Sequence, residues 1–143
     1  FFAHEPVMAM LSYSNFGSDK QGSPLKVHEA IDFLHKTYPD MVVDGEMQVN
    51  FALDKKLRDD MYPFNKLKGQ DVNTLIFPNL SSANSAYKLL DTLGITETIG
   101  PIQMGLNKPI HFTDVESSTR DIVNLTTVAV VDAIVQEQIE KEG

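Results

Sequence analysis

The sequence predicts an α/β fold with a mostly parallel sheet that helices cover on both faces. Short apolar segments alternate along the chain with segments whose apolar residues recur at helical spacing, the pattern of strand–helix–strand units. Hydrophobic residues make up 42% and charged residues 22% of the chain, as in ordinary globular domains. The 143 residues are enough for one domain or a large part of one, and they contain no internal repeat.

The first half of the chain is predicted to form three strands and two helices. Residues 6–14 are a continuous apolar run that becomes small and polar at its end, which is typical of a strand buried on both faces. A helix then begins at Pro24, with Ser23 as its N-cap, and ends before Pro39. The other predicted elements are a loop at residues 15–23, a strand at 41–43, a helix at 47–61, a loop at 62–71 and a strand at 73–77.

The second half is predicted to add two helices and two strands. Ser81 or Ser82 caps the first of these helices, and Gly94 follows it at the C′ position. The last helix starts with Ser118 and Asp121 at the spacing of a capping box. These helices cover residues 83–93 and 118–139, and between them a strand is predicted at 99–104 and an edge strand at 109–112.

Composition and charge exclude several classes of function. Twelve basic against 20 acidic residues give a net charge of -8, which repels phosphate backbones, so no nucleic-acid partner is expected. The longest apolar run, residues 128–131, is far shorter than the ~20 residues that a membrane helix requires, and residues 1–6 lack the pattern of a signal peptide. Without cysteines, a glycine-rich phosphate loop or clustered histidines, the chain predicts no thiolate nucleophile, nucleotide loop or metal site. A cytoplasmic protein is expected.

Small and polar residues follow four of the predicted strands. Ligands of parallel sheets bind at the carboxyl ends of the strands, so these segments are expected to line a site for a polar ligand. Asp44 and Glu46, which flank Gly45, are interpreted as turn and helix-start residues. The strand-end segments are residues 12–18, 44–48, 78–84 and 103–107.

Four motifs stand in order across nearly the whole chain. They read Leu-Ser-Tyr-Ser-Asn-Phe-Gly-Ser at residues 11–18, Asp-Gly-Glu-Met-Gln at 44–48, Ile-Phe-Pro-Asn-Leu at 76–80, and Gly-Pro-Ile-x-x-Gly-x-x-Lys-Pro at 100–109. Together with Asn84, Tyr87 and Lys88 they resemble the phosphate acetyl/butyryltransferase family. The resemblance implies a three-layer α/β/α sandwich of the phosphotransacetylase type, like that of isocitrate and isopropylmalate dehydrogenases. It also implies that residues 1–143 are the later half of a two-domain unit, in the C-terminal part of a longer chain.

The family moves an acyl group between coenzyme A and phosphate, and the resemblance implies where the catalytic residues should lie. Asp114 stands where the family has a Ser that assists the thiolate, and Val115 stands where it has an Arg that holds the phosphate. Asp121 matches the Asp that is proposed as the base for the thiol. Because Val cannot donate to phosphate and the neighbouring carboxylate repels it, acyl transfer is expected to be lost or very weak.

A transferase-like unit without this Ser and Arg is similar to the C-terminal domain of large NADP-dependent malic enzymes, as is the stretch at residues 121–133. The similarity implies a non-catalytic domain that binds acetyl-CoA as an inhibitor and helps to assemble a homo-oligomer. NADP, a divalent metal and malate decarboxylation would then belong to the N-terminal part of the parent protein, outside this chain. The residues expected to bind the ligand are Ser12, Ser14, Asn15, Asn84, Tyr87, Lys88, Gln103 and Lys108.

The sequence leaves two further functions open. One is an active phosphate acetyltransferase or butyryltransferase, for which Asp121 would be the surviving catalytic acid. The other is a purely structural assembly surface with a vestigial cleft.

Overall fold

The computed structural model of the chain describes residues 5–95 and 97–142. The described residues form two compact units, and the boundary between them falls at residues 89 and 90. The first unit contains a parallel sheet with helical connections, and the second contains the long final helix.

A three-stranded parallel sheet organises the first unit. β1 (Met8–Leu11) lies in the middle, between β2 (Val43–Met47) and β3 (Thr74–Ile76). Parallel strands must be joined by crossovers, and here helices make them. The predicted α/β fold with a parallel sheet is therefore confirmed. The connecting helices are α1 (Gly22–Thr37), α2 (Val49–Leu53) and α3 (Lys55–Met61).

The core of the first unit forms around the two longest strands. Ala9 and Leu11 of β1 are buried, and all five residues of β2 are buried as well. Val27 and Ile31 of α1 are also buried, one helical turn apart. The central apolar cluster consists of Ala9, Leu11, Met47, Ala52 and Leu67.

Asp44 and Glu46 lie inside β2, so their interpretation as turn and helix-start residues is wrong. Burial of the whole strand carries both carboxylates into the interior, and polar partners described below compensate them. Gly45 between them has a φ of 151°, and a Cβ atom at this position would lie 2.5 Å from the carbonyl oxygen of Met10. Glycine therefore allows β2 to approach the middle of β1 closely.

The helix predicted at residues 47–61 is divided into α2 and α3. Asp54 separates them, and its carboxylate caps α3 by accepting a hydrogen bond from Leu57 N at 2.9 Å. The first helix begins earlier than predicted, with Gln21 instead of Ser23 as N-cap.

The boundary between the two units falls within α4 (Leu80–Leu93). Asn79 Oδ1 accepts a hydrogen bond from Ser82 N at 2.9 Å, so Asn79 satisfies the start of α4 in place of the predicted serine caps. Gly94 follows the helix with a φ of 63°, as predicted for a C′ residue.

Residues 97–118 of the second unit contain neither helix nor strand. The strands predicted at residues 99–104 and 109–112 are therefore wrong. Pro101 and Pro109 cannot donate to a ladder, and all the strands within the described residues belong to the sheet of the first unit. Apolar composition alone suggested strands here, although a strand also requires a partner.

The last element is α5 (Thr119–Glu142), which confirms the predicted final helix. An 18-residue window within residues 119–141 has a mean hydropathy of 1.3, so by length and composition the helix is long and apolar enough to cross a membrane. The core helix of a soluble protein meets the same criteria. The sequence prediction of membrane helices used the longest uninterrupted apolar run. It therefore missed the high average hydropathy of this helix, in which threonines and charged residues interrupt the apolar residues.

Candidate functional site

The loop at the carboxyl end of the central strand is organised around one buried carboxylate. Residues 12–19, here called the strand-end loop, follow β1 directly. Glu46 is fully buried, and its Oε1 accepts hydrogen bonds from Ser14 Oγ at 2.9 Å and Gly17 N at 2.6 Å. Its Oε2 lies 3.3 Å from Nδ1 of His28 in α1. A single side chain thus joins strand β2, the strand-end loop and helix α1.

The hydroxyl groups of the strand-end loop complete its internal structure. Ser14 Oγ accepts from Asp19 N at 2.9 Å and lies 2.8 Å from Ser18 Oγ. Ser18 Oγ in turn accepts from Asn15 N at 3.0 Å, and Ser12 Oγ accepts from Ser14 N at 3.3 Å. Backbone N–H groups of residues 12 and 14–19 all donate to protein atoms. These N–H groups hold the loop in its conformation.

Two contacts tie the outer side of the loop to the residue after β2. Asn15 Oδ1 accepts from Gln48 N at 2.8 Å, and Gln48 Nε2 donates to the carbonyl oxygen of Tyr13 at 2.7 Å. The Tyr13 ring is exposed, and its hydroxyl donates to Asp19 Oδ2 at 2.8 Å. This hydrogen bond is the largest cause of the raised pKa of Tyr13, and partial desolvation and the negative charge of Asp19 raise the pKa further.

Phe16 turns the loop through an unusual backbone conformation. Its φ is 47°, a left-handed value that is uncommon for a bulky residue. Its N–H donates to the carbonyl oxygen of Glu46 at 2.7 Å, and its ring packs on Tyr62 and Phe64 with centroid distances of 4.8 Å and 5.2 Å. Glu46 and the aromatic rings therefore hold a conformation that the isolated chain would rarely adopt.

A second buried carboxylate in β2 supports a different loop. Asp44 Oδ2 accepts from Lys66 N at 2.6 Å, and Asp44 Oδ1 accepts from Gly45 N at 3.0 Å. Nearby in sequence, the fully buried Arg58 donates to the carbonyl oxygens of Leu67 and Gln70 at 3.0 Å and 2.7 Å. The sequence did not predict this structural role, because arginine is rarely buried in proteins and no residue spacing indicates a buried arginine.

The predicted ligand residues of α4 lie on an exposed part of that helix. Asn84 and Lys88 are exposed and Tyr87 is half-buried. The ammonium group of Lys88 lies 5.8 Å from the centroid of the Tyr87 ring, within reach of a cation–π interaction. A positive charge next to an aromatic face suits a phosphorylated, ring-containing ligand.

The remaining predicted ligand residues belong to the second unit, as do the positions that the resemblance matches to the catalytic residues of the family. Gln103 and Lys108 are exposed. The Asp114 carboxylate accepts hydrogen bonds from Glu116 N and Ser117 Oγ at 3.0 Å and 3.1 Å, which closes a local turn. Val115 is fully exposed at the tip of this turn.

Asp121 begins α5 and borders a cavity in the second unit. The side-chain and backbone hydrogen bonds from Ser118 lower the pKa of Asp121 below its usual value. Arg120 beside it is paired with Glu97 Oε2 at 2.5 Å. The cavity has a volume of about 270 Å³ and is lined by Asp91, Glu97, Thr98, Ile99, Arg120, Asp121 and Asn124.

Of the predicted ligand residues, Ser12, Ser14 and Asn15 are brought together in the strand-end loop. Their contact with a ligand stays a prediction, and so does that of the residues on α4 and in the second unit. Among the described residues, no three His, Asp or Glu side chains converge as ligands of a metal ion. Glu46 is the residue whose importance the sequence interpretation missed.

Most of this chain is similar to known proteins. A family model described as phosphate acetyl/butaryl transferase matches residues 1–130. The chain belongs to this family. The resemblance seen in the four sequence motifs is thereby confirmed.

Relatives in this family include two kinds of enzyme. The NADP-dependent malic enzyme of Salmonella typhimurium is 40% identical over 135 residues, which cover 92% of this chain and 17% of that enzyme. The phosphate acetyltransferase of Clostridium acetobutylicum is 38% identical over 129 residues, which cover 90% of this chain and 38% of that enzyme. The chain therefore spans less than a fifth of the malic enzyme and about two fifths of the acetyltransferase.

Solved structures agree with the fold of the chain. A phosphotransacetylase from Streptococcus pyogenes has a TM-score of 0.82 and 38% sequence identity, covering 92% of this chain and 40% of that one. The EutD phosphotransacetylase from Staphylococcus aureus has a TM-score of 0.80 and 32% identity, covering 90% of this chain and 40% of that one. The phosphotransacetylase-like fold is thus confirmed.

Proposed function

We propose that this chain is a non-catalytic domain in the C-terminal part of a cytoplasmic NADP-dependent malic enzyme. It binds acetyl-CoA as a regulator and helps to assemble a homo-oligomer. The observation that carries the proposal is the turn at Asp114 and Val115. A carboxylate and an exposed isopropyl group stand at the positions where acyl transfer requires a hydroxyl and a guanidinium. Neither residue can hold inorganic phosphate as an acyl acceptor.

The relatives support the choice of parent protein. Malic enzymes from Salmonella typhimurium, Escherichia coli and Haemophilus influenzae are 39–40% identical to this chain over 90% or more of its length. The matched part is only 17–18% of those enzymes, and the proposal assigns NADP, the divalent metal and malate decarboxylation to the rest of the parent. The domain then acts by binding acetyl-CoA unequally in two global states of that parent.

The exposed lysines are the groups that we assign to the coenzyme A phosphates. Lys88 presents its ammonium group beside Tyr87, and Lys108 is exposed in the second unit. The backbone N–H groups of residues 12 and 14–19 in the strand-end loop already donate to protein atoms, so the proposal assigns phosphate recognition to side chains of this kind.

The test is malate-dependent NADP reduction by the complete polypeptide, with and without acetyl-CoA. We expect acetyl-CoA to suppress the rate, and Lys88→Ala to shift the inhibition curve to higher acetyl-CoA concentration without changing the uninhibited rate. Lys141→Ala, at the far end of α5, is the matched control and should leave the curve unchanged. A malate-dependent rate that acetyl-CoA does not affect would refute the regulatory role and favour assembly alone.

An active acyltransferase is the second candidate, favoured by the acetyltransferase relatives and by Asp121 at the edge of the 270 Å³ cavity. It predicts acetyl phosphate formation from acetyl-CoA and phosphate, with loss of the rate in Asp121→Asn. Asp132→Asn serves as control because Asp132 lies further along α5 and accepts from Gln136 Nε2. Acetyl phosphate formation together with the absence of malate-dependent NADP reduction would replace the first proposal by this one.

A further inference from the structure

Glu46 is a buried acidic residue to which the proposed function assigns no role. It is fully buried, and removing a carboxylate from water costs free energy unless hydrogen bonds compensate. Most of its hydrogen-bond partners belong to one loop. Two of its three side-chain partners, Ser14 Oγ and Gly17 N, belong to the strand-end loop.

The main chain of Glu46 supports the same loop. Its carbonyl oxygen accepts from Phe16 N at 2.7 Å, so consecutive loop residues 16 and 17 both bond to Glu46. These are the residues with φ of 47° and 83°. A left-handed pair that includes a phenylalanine persists only when its surroundings fix it, and strain of this kind accumulates at functional sites.

The position of the loop in the sheet points to ligand binding. It leaves the carboxyl end of β1, the middle strand in the order β2-β1-β3. In parallel α/β sheets ligands bind beyond the carboxyl ends of strands. A site there must be held in one geometry before the ligand arrives, because ordering a loop during binding lowers affinity.

We propose that Glu46 is the positioning residue of the ligand site, and that it holds the strand-end loop in the conformation that receives acetyl-CoA. The inference rests on the proposed function for its ligand. Glu46 itself touches no ligand; it acts through Ser14, Phe16 and Gly17. His28 in α1 holds the second carboxylate oxygen and so fixes the orientation of the carboxylate.

Asp44 provides a matched control within the same strand. It is also buried, and it also accepts a short hydrogen bond from a loop N–H, that of Lys66 at 2.6 Å. Its partner loop follows α3 and contains no residue assigned to the ligand. Replacing Asp44 therefore disturbs β2 and the loop after α3, whose Tyr62 and Phe64 rings pack on Phe16. The hydrogen bonds between the strand-end loop and Glu46 remain in this variant, so the comparison isolates their effect.

The experiment measures the Kd of acetyl-CoA by calorimetry in the full-length protein and compares Glu46→Ala, Glu46→Gln and Asp44→Ala. We expect Glu46→Ala to raise Kd about tenfold or more, because the loop must then be ordered on binding. Glu46→Gln should stay within about threefold of the wild type, since the amide oxygen still accepts from Ser14 and Gly17. Asp44→Ala should lower the thermal midpoint as Glu46→Ala does but leave Kd unchanged.

Amide hydrogen exchange of the strand-end loop separates the positioning role from the identity of the ligand. Without acetyl-CoA, Glu46→Ala should speed exchange at Gly17 and Phe16, whereas Asp44→Ala should not. Unchanged exchange in Glu46→Ala, or equal rises of Kd in both alanine variants, would overturn the inference. A wild-type protein that does not bind acetyl-CoA while Glu46→Ala still loosens the loop would instead refute the proposed function and the ligand named here.

Ser14→Ala keeps the inference testable if Glu46→Ala does not fold. It removes one donor to Glu46 and the acceptor of Asp19 N while leaving the carboxylate in place. We expect faster exchange at Gly17 and a rise of Kd by about threefold. An unchanged exchange rate and Kd in this variant would also overturn the positioning role.

Discussion

Ser118 and Asp121 cap the N-terminus of α5 through reciprocal hydrogen bonds. Ser118 N donates to Asp121 Oδ2 at 2.8 Å, and Asp121 N donates to Ser118 Oγ at 3.2 Å. The serine hydroxyl also donates to Asp121 Oδ2 at 2.7 Å. This is the reciprocal geometry of a capping box, here with Asp in place of Glu. The carboxylate that matches the base of the transferase family is thus engaged at the start of a helix.

The cap should make the start of α5 sensitive to acid. Hydrogen bonds from Ser118 lower the pKa of Asp121 in the folded protein below its ordinary 3.8. A carboxyl group whose pKa is lower in the folded than in the unfolded protein stabilises the fold at pH values above its unfolded-state pKa. This stabilisation is lost as the pH falls through its folded-state pKa. Amide exchange in the first turn of α5 should therefore quicken as pH falls from about 5 to about 2, after correction for intrinsic rates. Asp121→Asn should show no such titration, and an identical pH profile in both proteins would contradict the assignment.

The capping box was predictable from sequence because its two residues are only three positions apart. Four residues from Ser118 to Asp121 contain the entire signal, and the same holds for Gly94 after α4. The break between α2 and α3 was missed although it is also local, because the apolar spacing continues through Asp54. The false strands at residues 99–104 and 109–112 show the converse limit: strand pairing depends on a partner that no local pattern specifies.

The candidate site was only partly predictable for a related reason. The motif at residues 11–18 contains most of the strand-end loop and the motif at 44–48 contains Glu46, but their contact was not predicted because 32 residues separate Ser14 from Glu46. Only the parallel pairing of β1 with β2 brings them into contact. Turn propensity predicted a turn and a helix start at Asp44 and Glu46, whereas in the folded protein both residues are buried in β2.

Restoring the family residues at Asp114 and Val115 should restore phosphate binding. In the double variant Asp114→Ser and Val115→Arg, a repulsive carboxylate is replaced and a bidentate donor is added. We expect the phosphate Kd of the full-length protein to fall by about tenfold or more, which corresponds to about 1.4 kcal/mol. Calorimetry with inorganic phosphate measures this change. The variant Asp114→Ser with Val115→Gln is the control without added charge, and equal affinity of both variants would show that the missing guanidinium is not the cause.

The two arginines of the chain should differ sharply in their contributions to stability. Arg58 is fully buried and bonds three carbonyl oxygens besides Asp59, so Arg58→Ala leaves several interior acceptors unpaired. We expect a loss of about 3–5 kcal/mol in the free energy of unfolding. Arg120→Ala breaks an exposed pair with Glu97 and removes a positive charge beside Asp121, and it should cost less than about 1 kcal/mol. Urea denaturation compares them, and similar losses would contradict the buried role of Arg58.

Asp59, the acidic partner of Arg58, should contribute to acid unfolding. Burial raises its pKa, but hydrogen bonds from Gly69 N and Asn65 and the charge of Arg58 outweigh burial and hold the pKa below its ordinary 3.8. The contribution of Asp59 to the free energy of unfolding is therefore fully present at pH values above 3.8 and is lost as the pH falls through the folded-state pKa of Asp59. Asp59→Asn should flatten the fall of the unfolding free energy below about pH 4, measured by urea titration at several pH values. Asp60→Asn is the exposed neighbouring control, and an equal flattening there would refute the assignment.

Gly45 should be the least replaceable glycine of the chain. Its φ of 151° is a conformation that side chains rarely adopt, and a Cβ atom would lie 2.5 Å from Met10 O, a backbone atom that cannot move aside. Gly45→Ala must therefore separate β2 from β1 and should cost about 3 kcal/mol. Gly94→Ala, with a φ of 63° and no atom within 4 Å of the position that a Cβ would take, carries only the conformational penalty of about 1 kcal/mol. Urea denaturation of the two variants separates steric conflict from backbone preference. Because displacement of β2 also moves Glu46, Gly45→Ala should in addition speed amide exchange in the strand-end loop, whereas Gly94→Ala should not.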